Sequence, residues 1–465
     1  MAGTLPSNQP PSNQPPSDGG SVDHLLAGAP RASDMMSWIE TVVAAGIRRP
    51  AYPGDDAVAR WAAALLTSFG LHGVTCDEVP VVRWEEGPTT LAVRRGPGHR
   101  WHDVDAFPMP HTADGALTAP LVPADRATAG SVVARQVDLP AVPNADLRSM
   151  ALDAFDPEDH FASSTHILPF GLDVHDVAGT ATAAGAAGFV GILGEHYWES
   201  NRYYLPYDGK PRSTPAVWVA PDAGATVLEC AEVGGECRLQ TTSWSRPATT
   251  VNVLGALPGR SDSWVVIGSH HDAPWASAVE DASGIALVLA QARLWSQVPA
   301  TDRPHNMLFL LNGAHMFGGA GVQSFLRDHG DLLRNVVLAV HLEHAAAASA
   351  VVDGRLVALD QPEDRWWFAS RHPVLQELLL ASIKAESLRR SMVFAPDAFM
   401  EHPPTDGGPF HLFGVPLVNF LPAPRYLFDA ADTVALVHRA SLLPVTRAVV
   451  RLIAGLYGMD PTTLR

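Results

Sequence analysis

Gly268-Ser269-His270-His271-Asp272, followed shortly by Asp281-Ala282-Ser283-Gly284, is the stretch on which the fold turns. The apolar run Ser263-Trp264-Val265-Val266-Ile267 leads directly into the histidines, as a buried parallel strand leads into a loop at its C-terminal end. In open α/β sheets that edge is where ligands bind. After Gly284 the chain reads Ile285-Ala286-Leu287-Val288-Leu289-Ala290-Gln291-Ala292-Arg293-Leu294, an Ala/Leu-rich helix whose N-terminal region carries Asp281. A histidine and a carboxylate are thereby expected at one place.

By itself a His-x-Asp after a strand also fits an ordinary polar strand end. Its neighbours change the weighing. Asn306–Leu311 reads as a second strand running into Asn312-Gly313-Ala314-His315, and Val336–Val340 as a third running into His341-Leu342-Glu343-His344. Three successive strands thus end in imidazoles and carboxylates, a donor set that suits zinc, manganese or iron. His271 and His344 adjoin ligand candidates, but neighbours on an extended strand face opposite ways, so both are expected to support the ligands or the structure rather than to bind the metal.

On these residues the chain from about Ala32 to Leu456 resembles the co-catalytic zinc aminopeptidase family that includes glutamate carboxypeptidase II. Further landmarks fall in the family's order: Tyr52-Pro53-Gly54-Asp55 before a helix, Val251-Asn252-Val253-Leu254 with Leu257-Pro258-Gly259, Thr405-Asp406-Gly407-Gly408, Gly414-Val415-Pro416 and Asp432-Thr433. The resemblance implies a mixed, largely parallel sheet sandwiched by helices, with His270, Asp281 and Glu343 as metal ligands and Asp272 orienting His270. It also marks departures. The family's general-base Glu is Ala314 here, and the ligand Glu that follows it is His315. The strand-end Asp is Glu343, the late ligand His is Phe428, and the His after Asp406 is Gly407. His402 and His411 flank Asp406 as candidates for the missing ligand.

With one carboxylate exchanged for imidazole and one histidine lost, two close dications would be poorly compensated in a partly desolvated cleft. One divalent ion is therefore expected, zinc first and iron or manganese as alternatives, held by His270, Asp281 and Glu343. His315 would be a fourth ligand or the acid/base group.

The 465 residues, 47% hydrophobic and 17% charged, suffice for two domains. A formal charge of −17 argues against nucleic acid and anionic membrane as partners, and no run approaches the length of a membrane span. Residues 1–31 are expected to form a Pro/Ser/Asn/Gln-rich disordered tail without signal-peptide character. Cys230 and Cys237 are close enough in sequence to pair, and Cys76 would stay single; a cytoplasmic location is favoured. Residues 32–93 and 243–465 are assigned to the metal-site domain, and 94–242 to an insert. Its Val177–Leu193 helix-strand pattern and Ser213–Val219 strand resemble a protease-associated domain. Within it, Glu195–Tyr204 is dense in aromatics, so Arg202 and Tyr203 are candidates for substrate contact, with packing of the insert the alternative. Trp366 and Trp367 read as packing residues.

Three functions remain open. The first is a metal-dependent hydrolase of an amide or related bond in a small molecule or short peptide, using His315 and Asp272. The second is an iron-dependent ring-cleaving oxygenase on the same scaffold. The third is a peptidase-like binding protein without activity. Fold alone does not choose between them.

Overall fold

Alternate residues on adjacent strands divide between two cores. In the computed structural model, which describes residues 22–465, Val265 and Ile267 of the Trp264–His270 strand join one apolar cluster with Met307, Phe309 and Leu311 of Asn306–Asn312. Val266, Leu308 and Leu310 turn the other way, onto Val322, Phe325 and Leu326 of the Ala320–Asp328 helix. Burial on both faces with a period of two is what a sheet covered by helices on both sides requires.

The sheet has nine strands in the order His72–Glu86, Ser243–Leu257, Asn306–Asn312, Trp264–His270, Val336–Leu342, Leu417–Phe420, Arg365–Ala369, Ser391–Phe394, Asp153–Phe155. Trp264–His270 runs parallel to both neighbours, and Val336–Leu342 is parallel to Leu417–Phe420. The long strands His72–Glu86 and Ser243–Leu257 pair antiparallel, as do Arg365–Ala369 and Leu417–Phe420. The α/β class is as expected, with parallel pairing concentrated at the centre, where the strand ends meet.

The Gly284–Ser296 helix explains its own composition. It lies between the sheet and the helices Ala32–Ala44 and Arg439–Ala454, so every residue except Arg293 and Ser296 is buried. Each enclosed Leu, Ile or Val contributes roughly 1.5–3 kcal/mol, and this packing anchors the loop that precedes the helix.

A second sheet of eight strands is drawn from residues between Thr90 and Thr241 and has its own core, including Leu91, Val93, Val190, Ile192, Val217 and Val227. The intervening chain is not cleanly separate, because Asp153–Phe155 adds to the edge of the nine-stranded sheet beside Ser391–Phe394. The tail expected over 1–31 also ends early. Val22–Ala27 is helical with Leu26 buried, and residues 1–21 lie outside the described residues. Cys76, Cys230 and Cys237 are all unpaired. Among the described residues no helix is long and apolar enough to cross a membrane.

At the junction of the two sheets His111 is buried with its ring near Trp84 and Phe317. Burial, helped by nearby Arg212, pushes its pKa down to about 4. Because this lies below the ordinary value of ~6.5, the folded form binds fewer protons between the two values. Stability is then greatest above pH ~6.5 and is lost as pH falls toward 4, by up to about 3 kcal/mol. His111→Gln is expected to remove that component. In urea unfolding, the stability difference between wild type and variant should change between pH 6.5 and pH 4.5, and a constant difference would refute the assignment.

Candidate metal centre

Each of the three central strands delivers its ligand candidates to one point. His270 ends Trp264–His270 and is fully buried, and the turn after Asn312 carries His315, whose ring stacks on His270 with centroids 4.1 Å apart. Beyond Leu342 come Glu343 and His344. Two trios have ligand atoms that all lie within 4.8 Å of one another: His270, Glu280 and His315, and His270, Glu343 and His344. His270 Nε2 and Glu280 Oε1 lie 3.3 Å apart, and both are buried without a hydrogen-bond partner. Buried polar atoms are normally satisfied, so two unsatisfied donors of electron pairs facing one point fit a cation. Burial, with the neighbouring rings of His315, His344 and His341, holds the His270 pKa well below its usual value and keeps the ring in the neutral, ligating form.

Glu280 is the nearer carboxylate to this point, since Asp281 Oδ2 lies 3.9 Å from His270 Nε2 and is engaged elsewhere. The Asp281 carboxylate accepts hydrogen bonds from the Ser269 hydroxyl and from the N–H groups of Gly284 and His344, so it fastens the start of the Gly284–Ser296 helix. The loop that sets this choice is held from both sides. The buried Arg48 guanidinium donates to the carbonyls of His271, Ser277 and Glu280 at 3.2, 2.8 and 3.2 Å, while Asp432 accepts the N–H groups of Val279 and Glu280. Asp272 also serves differently from the expectation. His270 Nδ1 meets the Asp272 backbone carbonyl at 2.9 Å, whereas the Asp272 carboxylate accepts the N–H groups of His315 and Met316. It shapes the His315 turn.

The remaining partners tie each ring and carboxylate in place. His315 Nδ1 lies 2.8 Å from Asp406 Oδ1, leaving Nε2 as the nitrogen available to the cleft. Burial pulls the His315 pKa down, but Asp406, Glu280 and Glu343 outweigh it and hold the ring at about 10. His341 Nε2 lies 2.7 Å from Glu343 Oε1. His344, expected to support a ligand or the structure rather than bind the metal, holds the Pro422 carbonyl with Nδ1 and reaches Glu280 Oε2 with Nε2 at 2.5 Å. Strand alternation does not apply to it, because the strand ends at Leu342 and His344 adopts φ +59°. His271 does take the structural place expected of it, between Asp55 and the Val251 carbonyl.

The positions that depart from the family pattern are closed by packing. The Ala314 methyl sits in an apolar cluster with Val79 and Val81. A side chain at Gly407 would place Cβ 2.9 Å from His341 Cβ and 2.7 Å from Asn419 Oδ1. Phe428 stacks on Tyr207, which in turn stacks on His315; nothing in the sequence marked Tyr207. His402 bonds the Pro403 carbonyl, and neither it nor His411 belongs to a metal-capable group among the described residues.

A cleft of about 450 Å³ opens onto Glu280, His315, Glu343 and His344, and its walls are apolar, including Leu147, Phe170, Trp366, Phe368 and Phe428. Trp366, read as packing, is therefore also wall. Arg202 and Tyr203 are not. Arg202 is exposed with its guanidinium over Phe107, and Tyr203 is buried with its hydroxyl donating to the Pro169 carbonyl. Arg202→Ala is accordingly expected to leave kcat/KM within about twofold, the ordinary outcome for a surface change. A tenfold loss at unchanged metal content would restore Arg202 to the substrate site.

Residues 252–453 match the model of peptidase family M28. No curated protein matches the chain. Among solved structures, the peptidase M28 precursor from Shewanella amazonensis SB2B aligns over 96% of this chain and 97% of its own, at 18% identity and a TM-score of 0.71. The zinc aminopeptidase from Bacillus subtilis aligns over 94% and 97%, at 16% identity and a TM-score of 0.65. The aminopeptidase from Aneurinibacillus sp. strain AM-1 aligns over 95% and 97%, at 18% identity and a TM-score of 0.61. At these identities the likeness is one of fold, and it spans both sheets.

Proposed function

We propose, from the premise that residues 252–453 form a domain of peptidase family M28, that the protein is a metal-dependent hydrolase with a remodelled, single-ion centre. It acts on an amide or related bond beside a bulky apolar group, in a small molecule or short peptide. The observation that carries this is the unsatisfied pair of atoms, His270 Nε2 and Glu280 Oε1, with Glu280 lining an apolar cleft and His270 buried beside it. His270 and Glu280 would hold the ion, with Glu343 and His344, which form an overlapping trio with His270, placed to complete the set, and zinc is favoured by the mixed imidazole and carboxylate donors. Bound there, zinc would supply carbonyl polarisation and an acidified water.

The chain's own groups do the rest. Asp406 fixes His315 through Nδ1, so that Nε2 presents to the cleft. The carboxylates that hold the ring protonated would be offset beside a bound dication, which frees Nε2 to take and return a proton in place of the absent Glu. Asp272 is a positioning residue through the backbone of the His315 turn. Glu280 and Glu343 supply the negative charge that balances a single dication. The cleft walls exclude water and select for apolar groups, and among the described residues no Lys or Arg lines them to receive a carboxylate. We read the eight-stranded unit as a protease-associated-like insert, because the chain it introduces, from Pro140 to Leu172, supplies one side of the cleft.

A panel of amides differing only in the group beside the scissile bond tests this. Aromatic or branched aliphatic groups should exceed charged ones in kcat/KM by about 10–100-fold, as burying one large side chain implies. Equal rates across the panel would remove the cleft from the substrate site.

One observation favours a second reading. His270, Glu280 and His315 form a two-histidine, one-carboxylate trio of the kind that holds iron(II) in oxygenases. Colour and redox response of the protein purified without chelator separate the two.

A further inference from the structure

A separate cluster lies behind the cleft wall, where the Thr165–Ile167 strand meets the chain entering Arg365–Ala369. His166 Nε2 is 2.9 Å from the Ala423 carbonyl, which only accepts, so that nitrogen carries the proton. Its other nitrogen, Nδ1, is buried without a hydrogen-bond partner and faces Glu363 Oε1 and Asp364 Oδ2, each at 3.6 Å. Beside them Asn144 donates from Nδ2 to Asp364 Oδ2, while its Oδ1 is a second buried atom without a partner. Asp364 Oδ1 lies 3.0 Å from His160 Nε2.

A lone pair aimed between two carboxylates is repulsive unless something positive lies there. A proton on Nδ1 would draw one oxygen to about 2.7–2.9 Å, yet both stay at 3.6 Å. A tetrahedral ion with bonds of ~2.0–2.2 Å holds its ligand atoms ~3.3–3.6 Å apart. The three atoms all lie within 4.8 Å of one another.

We propose that His166, Glu363 and Asp364 bind a divalent transition-metal ion, zinc by donor type, which pins the Pro140–Leu172 arm of the insert to the nine-stranded sheet. This inference is independent of the catalytic reading. Its consequence for the cleft follows from the arm carrying Leu147, Phe170 and Leu172 of the wall.

The test uses the full chain with the central site disabled by His270→Ala and Glu280→Gln, stripped of metal and titrated with Co²⁺. About one equivalent should bind, with visible d–d bands, and zinc should raise the melting temperature of this protein. Adding His166→Ala should abolish both effects. If that variant does not fold, Glu363→Gln, which keeps shape and hydrogen bonding, should weaken Co²⁺ binding at least about tenfold. No uptake in the disabled protein would overturn the proposal and leave a protonated His166 between the carboxylates. So would uptake that His166→Ala and Glu363→Gln both leave intact.

Discussion

His315→Ala is expected to lower turnover of the native substrate by about 10²–10⁴-fold, the usual worth of a positioned acid/base group. Asp406→Asn should lower kcat less, with a displaced pH profile, since Asp406 acts through the His315 ring at 2.8 Å. The same geometry forecasts an absence. Simple aminoacyl anilides with added zinc should be hydrolysed negligibly, because the position of the family's proton-accepting Glu is Ala314, with its methyl packed on Val79 and Val81. Ala314→Glu should therefore destabilise the fold without restoring peptidase activity, as it forces a carboxylate into an apolar cluster. Robust anilide turnover that survives His315→Ala would show that another residue serves as base.

Metal retention is the second large effect, and it separates adjacent carboxylates. Glu280→Ala and His270→Ala should each weaken the central ion by more than about 10²-fold, so that it is lost on dialysis. Asp281→Ala should mainly cost stability, about 1–3 kcal/mol, through the unpaired N–H groups of Gly284 and His344. Elemental analysis beside thermal melts distinguishes the two. Loss of metal in Asp281→Ala with Glu280→Ala unaffected would return the ligand role to Asp281. Because the His166 cluster is expected to hold its own ion, the count that matters is the difference between each variant and wild type.

Much of the centre was legible because it lies on short, strongly apolar strands. Val265–Ile267, Phe309–Leu311 and Val337–Val340 announce themselves by composition, and the residues after each end, His270, His315 and Glu343, follow from strand direction alone. That Glu280 stands nearer His270 than Asp281 does depends on a loop that Arg48 and Asp432 hold from far along the chain. The contact of His344 with Glu280 was not legible because a rule for extended strands was carried past the strand's end, to a residue at positive φ. Arg202 and Tyr203 were chosen from aromatic density alone. Tyr207, nearby in sequence, is the residue that packs on the His315 ring.

Arg48 and Asp55 also bear on modularity. The span that matches the peptidase family M28 model starts at residue 252, yet the carbonyls of His271, Ser277 and Glu280 are gathered by Arg48, and the His271 ring rests on Asp55. The segment that carries the motif therefore does not build the centre alone. A fragment cut at residue 252 would contain every proposed central ligand and the Asp432 brace but would lose the Arg48 side of the loop's support. The connection between Ala32–Ala44 and Pro53–Ser68 acts as an intramolecular brace, so domain excision, circular permutation or fusion that separates Arg48 from Glu280 should loosen the centre with every ligand still present.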